Sequence, residues 1–263
     1  MVKQEKLPAR VVTFLYHEVT DDPTISGFQR KTALPYKHGT REFDENLEQI
    51  AMSPVSPTIV NEVDFGSDGR SLLLTFDDGG KSALHIADRL EKRGWKGHFF
   101  VTTSLIDTRT FLSKQDISEL YGRGHIIGSH GHTHPDIFCS LRLETMLNEW
   151  KTSTEILSDI IQSPVVTASI PGGEMDFNTQ LSAWQSGVRF LFTSEPILVP
   201  WSFGRLICLG RVYPKRGSSL RRVRNLAQCR GFNREIMNRK VKKLVKRLIY
   251  YPASKVRSLE SIF

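Results

Sequence analysis

Short apolar runs alternate with amphipathic stretches along most of this chain, and that alternation limits what it can fold into. The runs RVVTFLYH (10–17), SLLLTF (71–76), GHFFVT (97–102), HIIGSH (125–130), VVTASIPG (165–172), FLFTSE (190–195) and RLICLGRV (205–212) read as strands. Between them KSALHIADRLEKRG (81–94), KQDISELYGRG (114–124), LETMLNEWKTSTEILSDII (143–161) and NTQLSAWQSG (178–187) have helical spacing. In the third of these, Met146, Trp150, Ile156, Ile160 and Ile161 are expected to share one broad face. Gly94, Gly124 and Gly187 fall where helix C-caps belong. Strand–helix alternation predicts a parallel α/β architecture of barrel-like form, and in such folds chemistry gathers at the carboxyl ends of the strands.

Two strands end in unusual chemistry. Leu72 to Phe76 is almost wholly apolar, yet it runs directly into Asp77, Asp78, Gly79 and Gly80. Standing alone, two carboxylates before two glycines would be a polar turn. The run IIGSHGHTHPD (126–136) changes that reading, because another apolar strand ends there in histidines at every second position. His130 and His134 stand four apart, a spacing that lets two imidazoles converge on a divalent metal. One carboxylate from a neighbouring strand end completes an Asp-His-His set with open positions for water and substrate. The other carboxylate is then free to act as a general base, and the cation offsets the repulsion between the pair.

These residues resemble a known family. TFDDG (75–79) followed by HGHTHPD (130–136) is similar to the first two motifs of the polysaccharide deacetylases, the NodB homology domain of carbohydrate esterase family 4. The resemblance extends over roughly residues 10–215. GHFFVT resembles the second strand, SIPGGEM (169–175) the third motif, and TFLYHEV (13–19) an opening strand of members from exopolysaccharide loci. It implies an α/β fold of distorted (β/α) barrel form with fewer than eight strands. It implies a metal-dependent hydrolase that removes an acetyl group from an N-acetylated sugar, whether polysaccharide, oligosaccharide, or lipid-linked or nucleotide sugar. The implied cofactor is one divalent metal, zinc or alternatively cobalt, held by Asp78, His130 and His134. Asp77 would be the base that activates metal-bound water. Pro171 and Gly172 would line the groove, the Gly172 N–H helping to hold the oxyanion, and His132 is a groove residue or a third imidazole ligand.

The chain also departs from the family pattern. Ser169 stands where the third motif usually has an Arg that orients the base. The late strand LICLGRVY (206–213) lacks the usual general-acid His, and the fourth motif's Asp-Trp is not evident. Arg205 or Arg211 is a candidate for the missing Arg. His17 is a candidate acid, with a packed supporting role as its alternative. The departures keep a second function in view, a deacetylase-like carbohydrate-binding or scaffold protein that has lost turnover.

The charge is unevenly placed. The 263 residues carry a net charge of +8, yet residues 221–257 alone contain 13 Lys/Arg against a single acidic residue, Glu235. The body is therefore mildly acidic. The expected division is a catalytic domain over 1–220 and a basic amphipathic extension over 221–263. Within the latter, 232–251 reads as a helix with Met237, Val241, Leu244, Val245 and Leu248 on one stripe. It suits either packing on the barrel or peripheral contact with an anionic membrane. No recognisable nucleic-acid motif accompanies the charge. Three widely spaced cysteines suggest a reducing compartment, and the first residues lack the apolar core of a secretory signal. The resulting expectation is a cytoplasmic protein, peripheral on the inner membrane face.

Overall fold

The computed structural model of the chain describes residues 4–250, with side chains through residue 241. In chain order it holds strands β1 (Gln4–Lys6), β2 (Arg10–Tyr16), β3 (Glu18–Val19) and β4 (Lys37–His38), then helix α1 (Thr40–Ala51). There follow β5 (Pro57–Thr58), β6 (Arg70–Phe76), α2 (Ser82–Glu91), β7 (His98–Val101), α3 (Lys114–Gly122), β8 (Ile126–Ser129) and α4 (Leu143–Ile161). The last part comprises β9 (Thr167–Ser169), α5 (Phe177–Gln185), β10 (Phe190–Phe192), β11 (Trp201–Phe203), β12 (Leu206–Leu209), α6 (Leu220–Ala227) and α7 (Phe232–Tyr250). Residues 251–263, including Tyr251, lie outside the described residues.

Seven strands run parallel in the order β2, β6, β7, β8, β9, β10, β12. Beyond β12 the antiparallel β11 and β1 extend the sheet, and β5 pairs with β6. The sheet then curls back on itself. Val212 forms a parallel bridge with Phe14, its N–H donating to the Thr13 carbonyl at 2.8 Å while its carbonyl accepts from Leu15 at 2.8 Å. The first parallel strand thus meets the chain leaving the last one, and the result is the distorted (β/α) barrel expected.

Each strand feeds two cores because successive side chains point to opposite faces. Val12, Phe14, Leu72, Leu74, Phe76 and Phe99 lie under α1, α2, α3 and α6 in the larger cluster. Val11, Leu73, Phe100, Phe192 and Leu209 fill the barrel with Val60 and Val63 from the loop after β5. Counting on by twos from these inward positions reaches His17, Asp77 and Arg211. The same count from the inward Gly128 reaches His130, and from Thr167 it reaches Ser169. The polar residues at the carboxyl end are therefore the last layer of the barrel filling.

The helices follow local signals. At α3, Ser113 Oγ accepts from the Asp116 N–H at 3.1 Å, and Asp116 Oδ2 accepts from the Ser113 N–H at 2.8 Å. Gly94, Gly124 and Gly187 each have positive φ just beyond a helix, as their positions suggest. The buried line of α4 differs from the expected face: it runs through Met146, Trp150, Leu157 and Ile161, with Ile156 and Ile160 only half-buried at its side. Ser153 and Thr154 occupy the buried position between, satisfied by Ser129 and by the Trp150 carbonyl. Helix α6 also belongs to the body. Val223, Leu226 and Ala227 join the larger core, and Arg224 Nε donates to Gln49 Oε1 of α1 at 2.8 Å. A division at residue 220 therefore falls at the first residue of a packed helix.

Trp150 anchors the second half of the barrel. It is fully buried, tilted against Phe138 at 4.5 Å, and its Nε1 donates to Ser182 Oγ of α5 at 3.1 Å. Trp150→Ala should lower stability by about 3–5 kcal/mol, read as a shift of the urea unfolding midpoint.

Candidate metal centre

The strand ends bring together residues far apart in sequence. Asp78 Oδ1 lies 3.4 Å from His130 Nε2 and 3.5 Å from His134 Nε2. One ligand atom from each of the three lies within 4.8 Å of the others. Asp78 and His134 both have positive φ, 79° and 56°. Such a conformation is uncommon for residues with a side chain and is held where the surroundings over-determine it. Here the Asp78 carbonyl accepts from the Thr102 N–H at 3.2 Å, which fixes the turn that swings its carboxylate away from that of Asp77.

The donor set suits a divalent cation. His130 Nδ1 is occupied by the Ser169 carbonyl at 3.1 Å and Ser169 Oγ at 2.6 Å, leaving Nε2 directed at Asp78. Fixing one ring nitrogen in this way presents the other as a metal donor. A carboxylate with two imidazoles is a common set for zinc and its neighbours. Burial opposes ionisation of Asp78, but hydrogen bonds from His130 and His134 outweigh it and hold the carboxyl well below its usual range. Burial likewise opposes protonation of His130, yet Asp77 and Asp78 raise its pKa overall.

Asp77 stands beside this set and is held differently. Its two oxygens accept from Arg211 Nη1 at 2.7 Å and Nη2 at 2.9 Å, a bidentate pair buried on both sides. Ser169 Oγ adds a third bond to Asp77 Oδ1 at 3.0 Å. Burial works against the charge on Asp77, and the Arg211 guanidinium overcomes it, lowering the carboxyl's pKa. Arg211 itself is anchored by Nε to the Thr193 carbonyl at 2.9 Å and by its own N–H to the Glu195 carbonyl at 2.8 Å. Of the two arginines considered for contact with Asp77, Arg211 makes it; Arg205 is exposed in the turn between β11 and β12.

The other expected residues fall around the rim. His17 is within electrostatic reach of Asp78, Asp77, His130 and Arg211, and packs edge-on against Tyr36 at 4.7 Å. Its Nδ1 is buried with no partner among the described residues. His132 is half-buried, with Nδ1 2.9 Å from Thr103 Oγ1, and stands outside the three-residue set. Pro171 is buried 3.2 Å from where a Cβ on Gly131 would sit, so the two loops touch. Gly172 has φ of 69°, and a Cβ there would come within 2.6 Å of the Asp136 carbonyl oxygen. Phe28 covers His134 at 4.9 Å between ring centres, while Arg30 reaches Asp136 at 2.6 Å.

Two supporting carboxylates carry no sequence motif of their own. Glu149, buried on α4, accepts from the His132 N–H at 2.7 Å, the Thr133 N–H at 2.8 Å and Thr133 Oγ1 at 2.6 Å. It fixes the loop that carries both imidazoles. Glu18 is buried beneath the Asp77–Gly80 turn, accepting from Ser26 Oγ and from Ser82 Oγ at 2.6 Å. A Cβ on Gly80 would overlap its carboxylate, which is why the second glycine of the turn is required. Burial raises the Glu18 carboxyl to about 7.

Comparison with known proteins bears on the fold that carries these residues. The family model described as polysaccharide deacetylase matches residues 66–191. A polysaccharide deacetylase from Bacillus cereus superposes with a TM-score of 0.68 at 18% identity, covering 86% of this chain and 70% of that one. IcaB from Ammonifex degensii superposes with a TM-score of 0.65 at 20% identity, covering 84% and 97%. At such identities the likeness is one of fold. An uncharacterized 30.6 kDa protein of Geobacillus stearothermophilus is 25% identical over 179 residues, 67% of this chain. The chain spans 62% of the length of that curated relative.

Two measurements check the supporting carboxylates. Glu149→Ala should weaken zinc affinity by about 10–100-fold in a competition titration with a chelating dye, through loss of loop order. Glu18 has its pKa raised in the fold, from an ordinary 4.5 to about 7. Its contribution to stability is full below pH 4.5 and is lost as pH rises through 7. Relative to Glu18→Gln, the natural chain should lose roughly 3 kcal/mol across that window, measured by denaturant unfolding at each pH.

Proposed function

With residues 66–191 matching the polysaccharide deacetylase family model, we propose that this site hydrolyses the acetyl amide of an N-acetylated sugar. The observation that carries the reading is the separation of roles between two adjacent carboxylates. Asp78 faces the two imidazoles, whereas Asp77 is held ionised by Arg211 with its Oδ2 3.9 Å from His130 Nε2. A site that only bound carbohydrate would have no use for a buried, ionised carboxylate kept beside a ligand set.

Asp78, His130 and His134 would hold the metal, most simply zinc, with cobalt as the alternative. When bound, such an ion supplies Lewis-acid polarisation of the acetyl carbonyl and acidifies water in the site. Asp77 accepts the proton from the attacking water. Arg211 and Ser169 aim its carboxylate, so Arg211 takes the part of the arginine that Ser169 displaces from the third motif. The Gly172 N–H is the candidate donor to the oxyanion, with Pro171 shaping the loop. His17 is the candidate that protonates the departing sugar amine. Burial lowers its pKa, partly offset by Asp78 and Asp77. Phe28 and His132 flank the groove where the sugar ring would lie.

The test is acetate release by the metal-loaded protein from N-acetylglucosamine oligomers, acetylated nucleotide sugars and a lipid-linked N-acetylhexosamine. Asp77→Asn should lower turnover by about 10²–10⁴-fold, and His17→Ala should lower it by about 10²-fold or more. Turnover unchanged in Asp77→Asn would refute the base assignment. Stoichiometric metal without acetate from any substrate would favour the carbohydrate-binding or scaffold reading.

A further inference from the structure

Helix α7 lies on the barrel by one face and leaves Met237 and Val241 uncovered. Phe232 is buried, and Ile236 and Arg239 follow it at four and seven residues, both half-buried. Met237 and Val241 lie on the other side, 62% and 52% exposed. A helix that merely packed on the barrel would turn such residues inward. Exposed basic residues, Arg234 and Lys240 among them, surround the two. The sequence continues with Lys242, Lys243, Lys246 and Arg247.

The same helix is tied to the catalytic end. Arg239 Nη2 donates to the Gly173 carbonyl at 3.2 Å and to Glu195 Oε1 at 3.3 Å. Gly173 belongs to the loop of Pro171 and Gly172, and the Glu195 carbonyl accepts from the Arg211 N–H. Helix α7 is therefore in contact with the loop that carries Pro171 and Gly172.

We propose that the exposed face of α7 is a docking surface for an anionic lipid bilayer. Met237 and Val241 would enter the interfacial region, and the surrounding Lys and Arg would meet lipid phosphates. The charge over residues 221–257, 13 basic against one acidic, complements such a surface. Among the described residues no helix is long and apolar enough to cross a membrane, so the contact is peripheral. A nucleic acid would satisfy the charge and leave Met237 and Val241 without a role. The proposal stands independently of whether the metal centre turns over acetyl groups.

The experiment is co-sedimentation of the full chain with vesicles of phosphatidylcholine alone and of phosphatidylcholine mixed with phosphatidylglycerol. Binding to the anionic vesicles should be at least about tenfold tighter and should fall as salt is raised. The double variant Met237→Glu with Val241→Glu should bind about tenfold more weakly. Met237→Gln with Val241→Gln should also bind more weakly, and both should keep the melting temperature of the natural chain. Equal binding to neutral vesicles, or undiminished binding by the variants, would overturn the proposal. Retention on a single-stranded oligonucleotide without vesicle binding would overturn it in favour of nucleic acid.

Discussion

The buried pair between Arg211 and Asp77 is the interaction on which the rest of this site depends. Two adjacent carboxylates at the end of an apolar strand would ordinarily drive one of them to pick up a proton. Here the guanidinium meets both oxygens of Asp77 at 2.7 and 2.9 Å, with both side chains almost wholly out of solvent. A buried ion pair is stable only when its remaining donors are satisfied. Arg211 meets that condition through the Thr193 carbonyl, and Ser169 supplies a further donor to Asp77. The pair also joins the ends of β6 and β12, so the geometry of Asp77 and the closure of the barrel are set together.

A second set of contacts fixes the side of Asp78, His130 and His134. Ser169 touches both halves, with its Oγ between His130 Nδ1 and Asp77 Oδ1. Its carbonyl also approaches His130 Nδ1. Glu149 holds the loop of His134 from the helix behind it, and Glu18 holds the Asp77–Gly80 turn from beneath. Lys37, paired in register with Glu18 across β3 and β4, donates to the carbonyls of Pro23 and Ser26. These bonds order the chain that brings Phe28 over His134. The site is thus held by side chains on rigid elements, which is what a constellation needing near-ångström placement requires.

What could be read from the sequence was whatever is written locally. Asp77 and Asp78 are adjacent, His130 and His134 are four apart, and each group closes an apolar strand; their convergence follows once the strands are taken as parallel. Arg211 is 134 residues from Asp77, and it shares the inward period of β12 with Arg205, differing only in lying past the carboxyl end of the strand where Arg205 lies before its amino end. Glu149 looked like one acid among several on an amphipathic helix. Its role arises because α4 crosses behind β8 and sets it under the His loop. Similarly, Ile156 and Ile160 looked like core because they are apolar, but the packed line of α4 runs through Ser153 and Thr154, whose hydroxyls find partners. Helix α1, with Phe43, Leu47 and Ile50 buried at helical spacing, is not among the helices expected from the sequence. The two-residue strands β3, β4 and β5 are not legible there, since pairing alone defines them.

Barrel closure also bears on the histidine missing from the late strand. In an open sheet, the end of the first strand and the end of the last would be far apart, and a group lost from one could not be supplied by the other. Here Val212 bridges Phe14, so the chain leaving β12 runs beside β2. His17 continues the inward period of β2 and lies within electrostatic reach of Asp77, Asp78, His130 and Arg211. A proton donor needs only to face the leaving group from the side away from the base, and the strand that carries it is immaterial. With Arg211 coming from the late strand and His17 from the first, the two groups proposed for the positions that depart from the family pattern stand on either side of one seam.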